Sequence, residues 1–311
     1  MTNPGFREKR PARSGLTKTL RRKRCHSGVS LLAQKTCRTN ACRLARQFFK
    51  RTERGQVNRP DEPFPNSSAQ QPHPNPSVAL EDAIPGAEVV SPIGGRAYLV
   101  ETNLIELSDA ADVLSSALKS TLERLNLRNS PAGRIIRPED IIILDLETTG
   151  LSNVPLFLAG TLVSELGSLT IRQFLARSYS EEAAVVSLLF REIAEKRLLI
   201  SFNGEKFDLP FALSRAAELG IEPPEIPMHL DLLPLSRRKW GAYLPNCKLR
   251  TLETAVCGRR RFGDIPSHLI PDAYKRFLRT GDASEMAVIL RHNALDIITT
   301  LELFLRLLEP E

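Results

Sequence analysis

Residues 141–144 read Ile-Ile-Ile-Leu, and the next three are Asp145, Leu146 and Glu147. A short run of branched apolar residues is the pattern of a strand buried on both faces, as in sheets covered by helices on each side. Strand side chains alternate, so Asp145 and Glu147 leave one face and Leu146 the other. Two carboxylates at the end of such a strand are costly to bury unless paired or bound to a cation. Thr148-Thr149-Gly150 then opens a turn and leaves both acids at a strand end, where α/β sheets carry their sites.

Two further acids occupy matching places. Asp208 ends the segment Asn203-Gly204-Glu205-Lys206-Phe207-Asp208, after a buried strand pattern (198–202) and before a helical one (209–219). Alone it reads as an ordinary helix cap, a position Asp favours. Beside Asp145 and Glu147 it reads as a third carboxylate of one site. Asp296 interrupts an apolar stretch between Leu295 and Ile297-Ile298, and His292 precedes it by one helical turn on the same face. Clustered acids repel one another and resist ionisation without cations. Oxygen donors without an organised Cys/His set select Mg²⁺ or Mn²⁺ over Zn²⁺. Two such ions about 4 Å apart can activate water and stabilise the leaving oxygen of a phosphodiester. His292 has the pKa range of a general base.

The surrounding pattern is that of an α/β chain. Short strands are expected at 88–90, 96–101, 198–202 and 229–233, and a hairpin at 157–165 and 168–176 around Gly167. Helices are expected at 108–127, 181–196, 209–219 and 283–308, the last with Asp282 and Glu285 placed as a capping box. The expected fold is a mixed β-sheet with helices on both sides.

Charge is unevenly distributed. Residues 1–60 hold 17 Lys/Arg against 2 Asp/Glu, so residues 61–311 carry a net −8 within a chain of +7. The basic character belongs to the N-terminal segment and not to the domain. Residues 1–85, rich in charge and then in Pro, Asn, Gln and Ser, are expected to be a disordered basic tail, with a short basic helix over 41–51. Nucleic-acid attraction and a merely solvated extension both account for it. Cys25, Cys37, Cys42, Cys247 and Cys257 fit no zinc spacing well and no disulfide framework. The chain shows neither a membrane-length apolar run nor a secretory leader, so a cytoplasmic protein is expected.

The segments Asp-Leu-Glu-Thr-Thr-Gly (145–150), Phe-Asn-Gly-Glu-Lys-Phe-Asp (202–208) and His-Asn-Ala-Leu-Asp (292–296) resemble the three exonuclease motifs of the DEDD, or DnaQ-like, superfamily. His229-Leu-Asp-Leu-Leu, Cys247 to Glu253, Asp264-Ile-Pro, Pro271-Asp-Ala-Tyr274 and Thr280-Gly-Asp narrow this to its YprB-type ribonuclease-H-like domain, over about residues 87–308. The resemblance implies a ribonuclease-H-like sheet and a metal-dependent 3′–5′ exonuclease using two ions. Asp145, Glu147 and Asp296 would bind the first ion, Asp145 would also reach the second with Asp208 acting directly or through water, and His292 would serve as base. His292 stands four residues before the last Asp, a spacing usual for Tyr; relatives with His commonly have it five before.

Residues 136–311 are expected to form the exonuclease domain, with 86–135 packed on it. Thr148, Asn203 and Lys206 are expected to bind substrate, a nucleic acid with a single-stranded 3′ end. Arg237-Arg238-Lys239 and Arg259-Arg260-Arg261 are either phosphate contacts or solvated loop charge. Trp240 and Tyr243 either stack on bases or pack in the core. A non-catalytic nucleic-acid-binding module on the same fold and an endonuclease are the alternatives.

Overall fold

The computed structural model describes residues 78–108, 110–129, 135–150 and 154–309. The expectations for residues 1–77, including the basic helix over 41–51 and Cys25, Cys37 and Cys42, lie outside these residues.

The described chain runs α1 (Leu80–Ala83), β1 (Ala87–Val90), β2 (Arg96–Asn103), α2 (Leu104–Leu107), α3 (Ala111–Asn129), β3 (Ile141–Thr148), β4 (Leu156–Glu165), β5 (Ser168–Leu175), α4 (Glu182–Ala194), β6 (Leu198–Ser201), α5 (Asp208–Leu219), β7 (Met228–Asp231), α6 (Leu232–Trp240), α7 (Leu249–Ala255), α8 (Ile270–Thr280) and α9 (Ser284–Leu307). The seven strands form one mixed sheet in the order β1-β2-β5-β4-β3-β6-β7. β3 pairs antiparallel with β4 and parallel with β6.

The alternation of β3 divides the molecule into two cores. Ile142 and Leu144 face one, with Val185, Leu188, Leu189 and Ile193 of α4 and Tyr274 of α8. Ile141 and Ile143 face the other, with Leu114, Leu118 and Leu122 of α3 and Ile297, Leu301 and Phe304 of α9. The same phase carries Asp145 and Glu147 onto the second face, under α9, while Leu146 packs against the first core. The fold is ribonuclease-H-like, with helices on both sides of the sheet as expected.

Four local details differ from the sequence expectation. Ordered structure starts before Ala87: Leu80 and Ile84 are buried in the first core, and Tyr98 Oη donates to the Ile84 carbonyl at 2.8 Å. Two apolar side chains in a proline-rich stretch are too few to show a periodicity. The strand expected at 229–233 ends at Asp231, whose carboxylate accepts from Leu233 N at 2.9 Å and so starts α6. The short helices α7 and α8 also went unforeseen. Only half of the expected capping box forms on α9: Asp282 Oδ1 accepts from Ser284 N at 3.1 Å, while Glu285 pairs with Arg276 at 2.6 Å.

Candidate active site

β3 brings Asp145 opposite Gly160 of β4, and its pairing with β4 shifts register between Glu147 and Thr148. α9 crosses above this point. Asn293, wholly buried, donates from Nδ2 to the Asp145 carbonyl at 3.1 Å and to Asp145 Oδ2 at 2.7 Å. Its own Oδ1 accepts from Gln173 Nε2 at 2.8 Å, which also donates to the Leu290 carbonyl at 2.8 Å. Gly160 makes this approach feasible, since a Cβ there would lie 1.9 Å from Asn293 Oδ1.

Asp208 is the first residue of α5, yet its carboxylate does not cap that helix. Oδ1 accepts from Leu146 N of β3 at 3.1 Å, so the acid is turned toward the other carboxylates. The loop before it is pinned by Asp231, which accepts from Asn203 N at 2.7 Å and Glu205 N at 3.2 Å, with Asn203 in the left-handed conformation (φ 66°).

On α9, His292 Nε2 lies 3.4 Å from Asp296 Oδ2, and Nδ1 lies 2.9 Å from Oδ1 of the buried Asp264. The Arg261 guanidinium completes this group. It is 2% exposed and pairs with Glu253 at 2.6 Å, Asp264 at 3.5 Å and Asp296 at 2.5 Å.

Burial dominates the electrostatics. It pushes the Asp145 carboxyl well above its ordinary range, helped by the charges of Asp296, Glu147 and Asp208. Glu147 is pushed up to about 8 by burial and by Asp296, Asp208 and Asp264, against the pull of His292. Asp208 rises to about 6, again through burial, although Leu146 N opposes the rise. Burial works against a charged His292, but the Asp264 hydrogen bond and the charges of Asp296 and Glu147 win and raise its pKa. Asp145, Glu147, Asp208 and Asp296 therefore stand within one another's fields, and His292 within those of Glu147 and Asp296.

Such a set of buried oxygen donors is chemically suited to a hard divalent cation, whose charge would relieve the repulsion. As the side chains stand, no group of three or more His, Cys, Asp or Glu among the described residues is spaced to hold an ion. Asp296 leans on Arg261, and Asp145 and Asp208 each commit one oxygen to a nitrogen donor. The donor set matches a metal site in type, and the spacing would have to close for it to bind.

Thr148 and Lys206 line a cleft of about 360 Å³ beside Asp208, together with Leu146, Phe207 and Phe211. Asn203 does not line it. Arg259 and Arg261 are tied to Glu253 and Glu302 or Asp296, so neither serves as loop charge, whereas Arg260 is exposed. Trp240 packs against the second core, while Tyr243 is 84% exposed. The sequence reading did not foresee the roles of Asn293, Gln173, Gly160, Glu253 and Arg261 here. Only the Asp264-Ile-Pro and Cys247 to Glu253 segments hinted at two of the acids involved.

A sequence model of the family described as RNase_H superfamily matches residues 142–308, more than half of the chain. The chain belongs to the RNase H superfamily. It thus has the fold of a nucleic-acid-processing nuclease, and RNase H-like nucleases generally use divalent metals. No curated protein matches it. Among solved structures it is similar to the family B DNA polymerase from the hyperthermophilic archaeon Pyrobaculum calidifontis, with 16% identity and a TM-score of 0.46 over 57% of this chain. The likeness spans 25% of the polymerase chain. No helix among the described residues of this RNase H-like protein is long and apolar enough to cross a membrane.

Proposed function

We propose that this chain is a metal-dependent 3′–5′ exonuclease of the DEDD type, in its YprB-type branch, that shortens DNA or RNA from a single-stranded 3′ end. The observation that carries this reading is the convergence of four acids from β3, α5 and α9, three of them held far above their ordinary pKa by burial and mutual repulsion.

In this reading Asp145, Glu147, Asp208 and Asp296 hold two Mg²⁺ or Mn²⁺ ions. Bound there, the ions would supply charge neutralisation and an activated water. Asn293 fixes the direction of Asp145, and Leu146 N fixes that of Asp208. His292 accepts a proton through Nε2, while Asp264 holds the ring by Nδ1. Thr148 and Lys206 line the cleft that receives the strand, and Asn203, whose backbone Asp231 holds, shapes the loop before Asp208 and meets the strand from there. Residues 136–311 form the catalytic domain, 86–135 brace it, and the basic residues 1–60 raise the local concentration of a polyanion. The protein works in the cytoplasm.

One observation favours the second reading, a non-catalytic nucleic-acid-binding module: Arg261 sits on Asp296, a position a metal would require. Incubation with 5′-labelled single-stranded DNA and RNA in Mg²⁺, Mn²⁺ or EDTA separates the two. The exonuclease gives a ladder of shortened products with metal and none in EDTA. Binding without any shortening supports the module.

A further inference from the structure

The loop from Gly258 to Gly263 holds three consecutive arginines and a phenylalanine between two glycines in the left-handed conformation, φ 71° and 63°. Two of the arginines fasten it from inside. Arg259 reaches Glu253 at 2.8 Å, Glu302 at 3.1 Å and Thr299 Oγ1 at 2.6 Å. Arg261 reaches Glu253 and Asp296. Arg291 Nη1 adds a bond to the Phe262 carbonyl at 3.0 Å. A loop anchored this heavily has little freedom to bury its outward side chains.

Those side chains are Arg260 and Phe262. Arg260 is exposed and in no ion pair among the described residues. Phe262 is 66% exposed. A phenyl ring left in water by a pinned loop gains nothing for folding. Its neighbour Arg261 touches Asp296, and Asp264, two residues on, touches His292. The backbone that carries the ring therefore runs beside the carboxylate site. An exposed ring two residues from an exposed guanidinium offers single-stranded nucleic acid a stacking face for a base and a cation for a phosphate.

We propose that the 258–263 loop is a platform for the single strand, with Phe262 stacking on a base and Arg260 pairing with a phosphate. This rests on the nuclease reading for its substrate class, but it can be tested without cleavage.

The probe is a fluorescein-labelled single-stranded DNA about ten nucleotides long, titrated by anisotropy in EDTA with the full chain. Phe262→Ala is expected to weaken binding about 5- to 100-fold, and Phe262→Trp to restore it. Arg260→Ala is expected to weaken binding and to flatten the dependence of log Kd on log salt by about 0.7. Equal affinity of wild type and Phe262→Ala, or no restoration by Trp, overturns the platform. If the strand binds in this way but is never cleaved with metal, the nuclease reading falls and the platform stands. If the strand is cleaved while Phe262→Ala matches wild type in both Kd and KM, the platform alone falls.

Discussion

Asn293 Nδ2 lies 2.7 Å from Asp145 Oδ2, joining α9 to β3 across 148 residues of sequence. The amide is held from behind by Gln173, so Asp145 is left with one free oxygen in a fixed direction. A group that orients a metal-binding carboxylate typically matters 10- to 100-fold for affinity or activity. Asn293→Ala is expected to lose about that factor in kcat/KM, read by steady-state cleavage of a labelled strand. Gly160→Ala should reproduce the loss and also cost about 1–3 kcal/mol in urea denaturation, because its methyl would occupy the space of Asn293 Oδ1.

The ring of His292 is held between Asp264 and Asp296. His292→Ala is expected to lower kcat about 10²- to 10⁴-fold, with Mn²⁺ affinity by calorimetry little altered. Asp264→Asn should give a smaller fall of the same kind, since the ring remains but its orientation is looser. Near-normal turnover of His292→Ala would show that another group takes the proton.

Arg261 offers a stability test. Its guanidinium is 2% exposed, and its partners Glu253 and Asp264 are each 1% exposed. Arg261→Ala removes the cation that Glu253, Asp264 and Asp296 share and leaves Glu253 with Arg259 and Asp264 with His292 and Arg250; removing one partner of a buried ion pair typically costs about 3–5 kcal/mol. Urea denaturation reads this directly, and a loss below about 1 kcal/mol, the level of a surface pair, would contradict the burial of this pair.

Metal and pH should act on stability together. Glu147 has its pKa raised on folding from 4.5 to about 8, and Asp208 from 3.8 to about 6. A carboxyl raised by folding contributes stability that is fully present below its unfolded value and is lost as pH rises through the folded one. In EDTA the Tm is therefore expected to fall from about pH 4 to about pH 8. Mn²⁺ at about 100 times its Kd should raise Tm by about 5–10 °C, and by more at the alkaline end, where the ligands are ionised. A metal effect that is independent of pH would argue against these acids as ligands.

The sequence made some of this legible and hid the rest for physical reasons. β3 was readable because an apolar run ending in two acids has few structural solutions, and the strand period fixes which face the acids share. Asp208 was ambiguous because a helix cap and a site acid look identical in one dimension. Only its bond to Leu146 N separates them. The helices α6, α7 and α8 are 9, 7 and 11 residues long, too short for a clear period, and Pro271 in the first turn of α8 disguised its start. The partners of Arg261 lie on α7, on the following loop and on α9, so nothing local showed that the middle of an arginine run would be buried. Asn293 was visible as a neighbour of His292, but its contact with Asp145 depends on a glycine in β4.

The central claim is that Asp145 is a metal-binding acid of a nuclease, and Asp145→Asn tests it with little change of shape. The measurement is the rate of shortening of a 5′-labelled single strand in Mn²⁺, alongside Tm in EDTA. The account predicts a loss of at least about 10³-fold in rate, with a Tm equal to or above that of the wild type because a repelled buried charge has been removed. Wild-type cleavage by a correctly folded Asp145→Asn protein would contradict it.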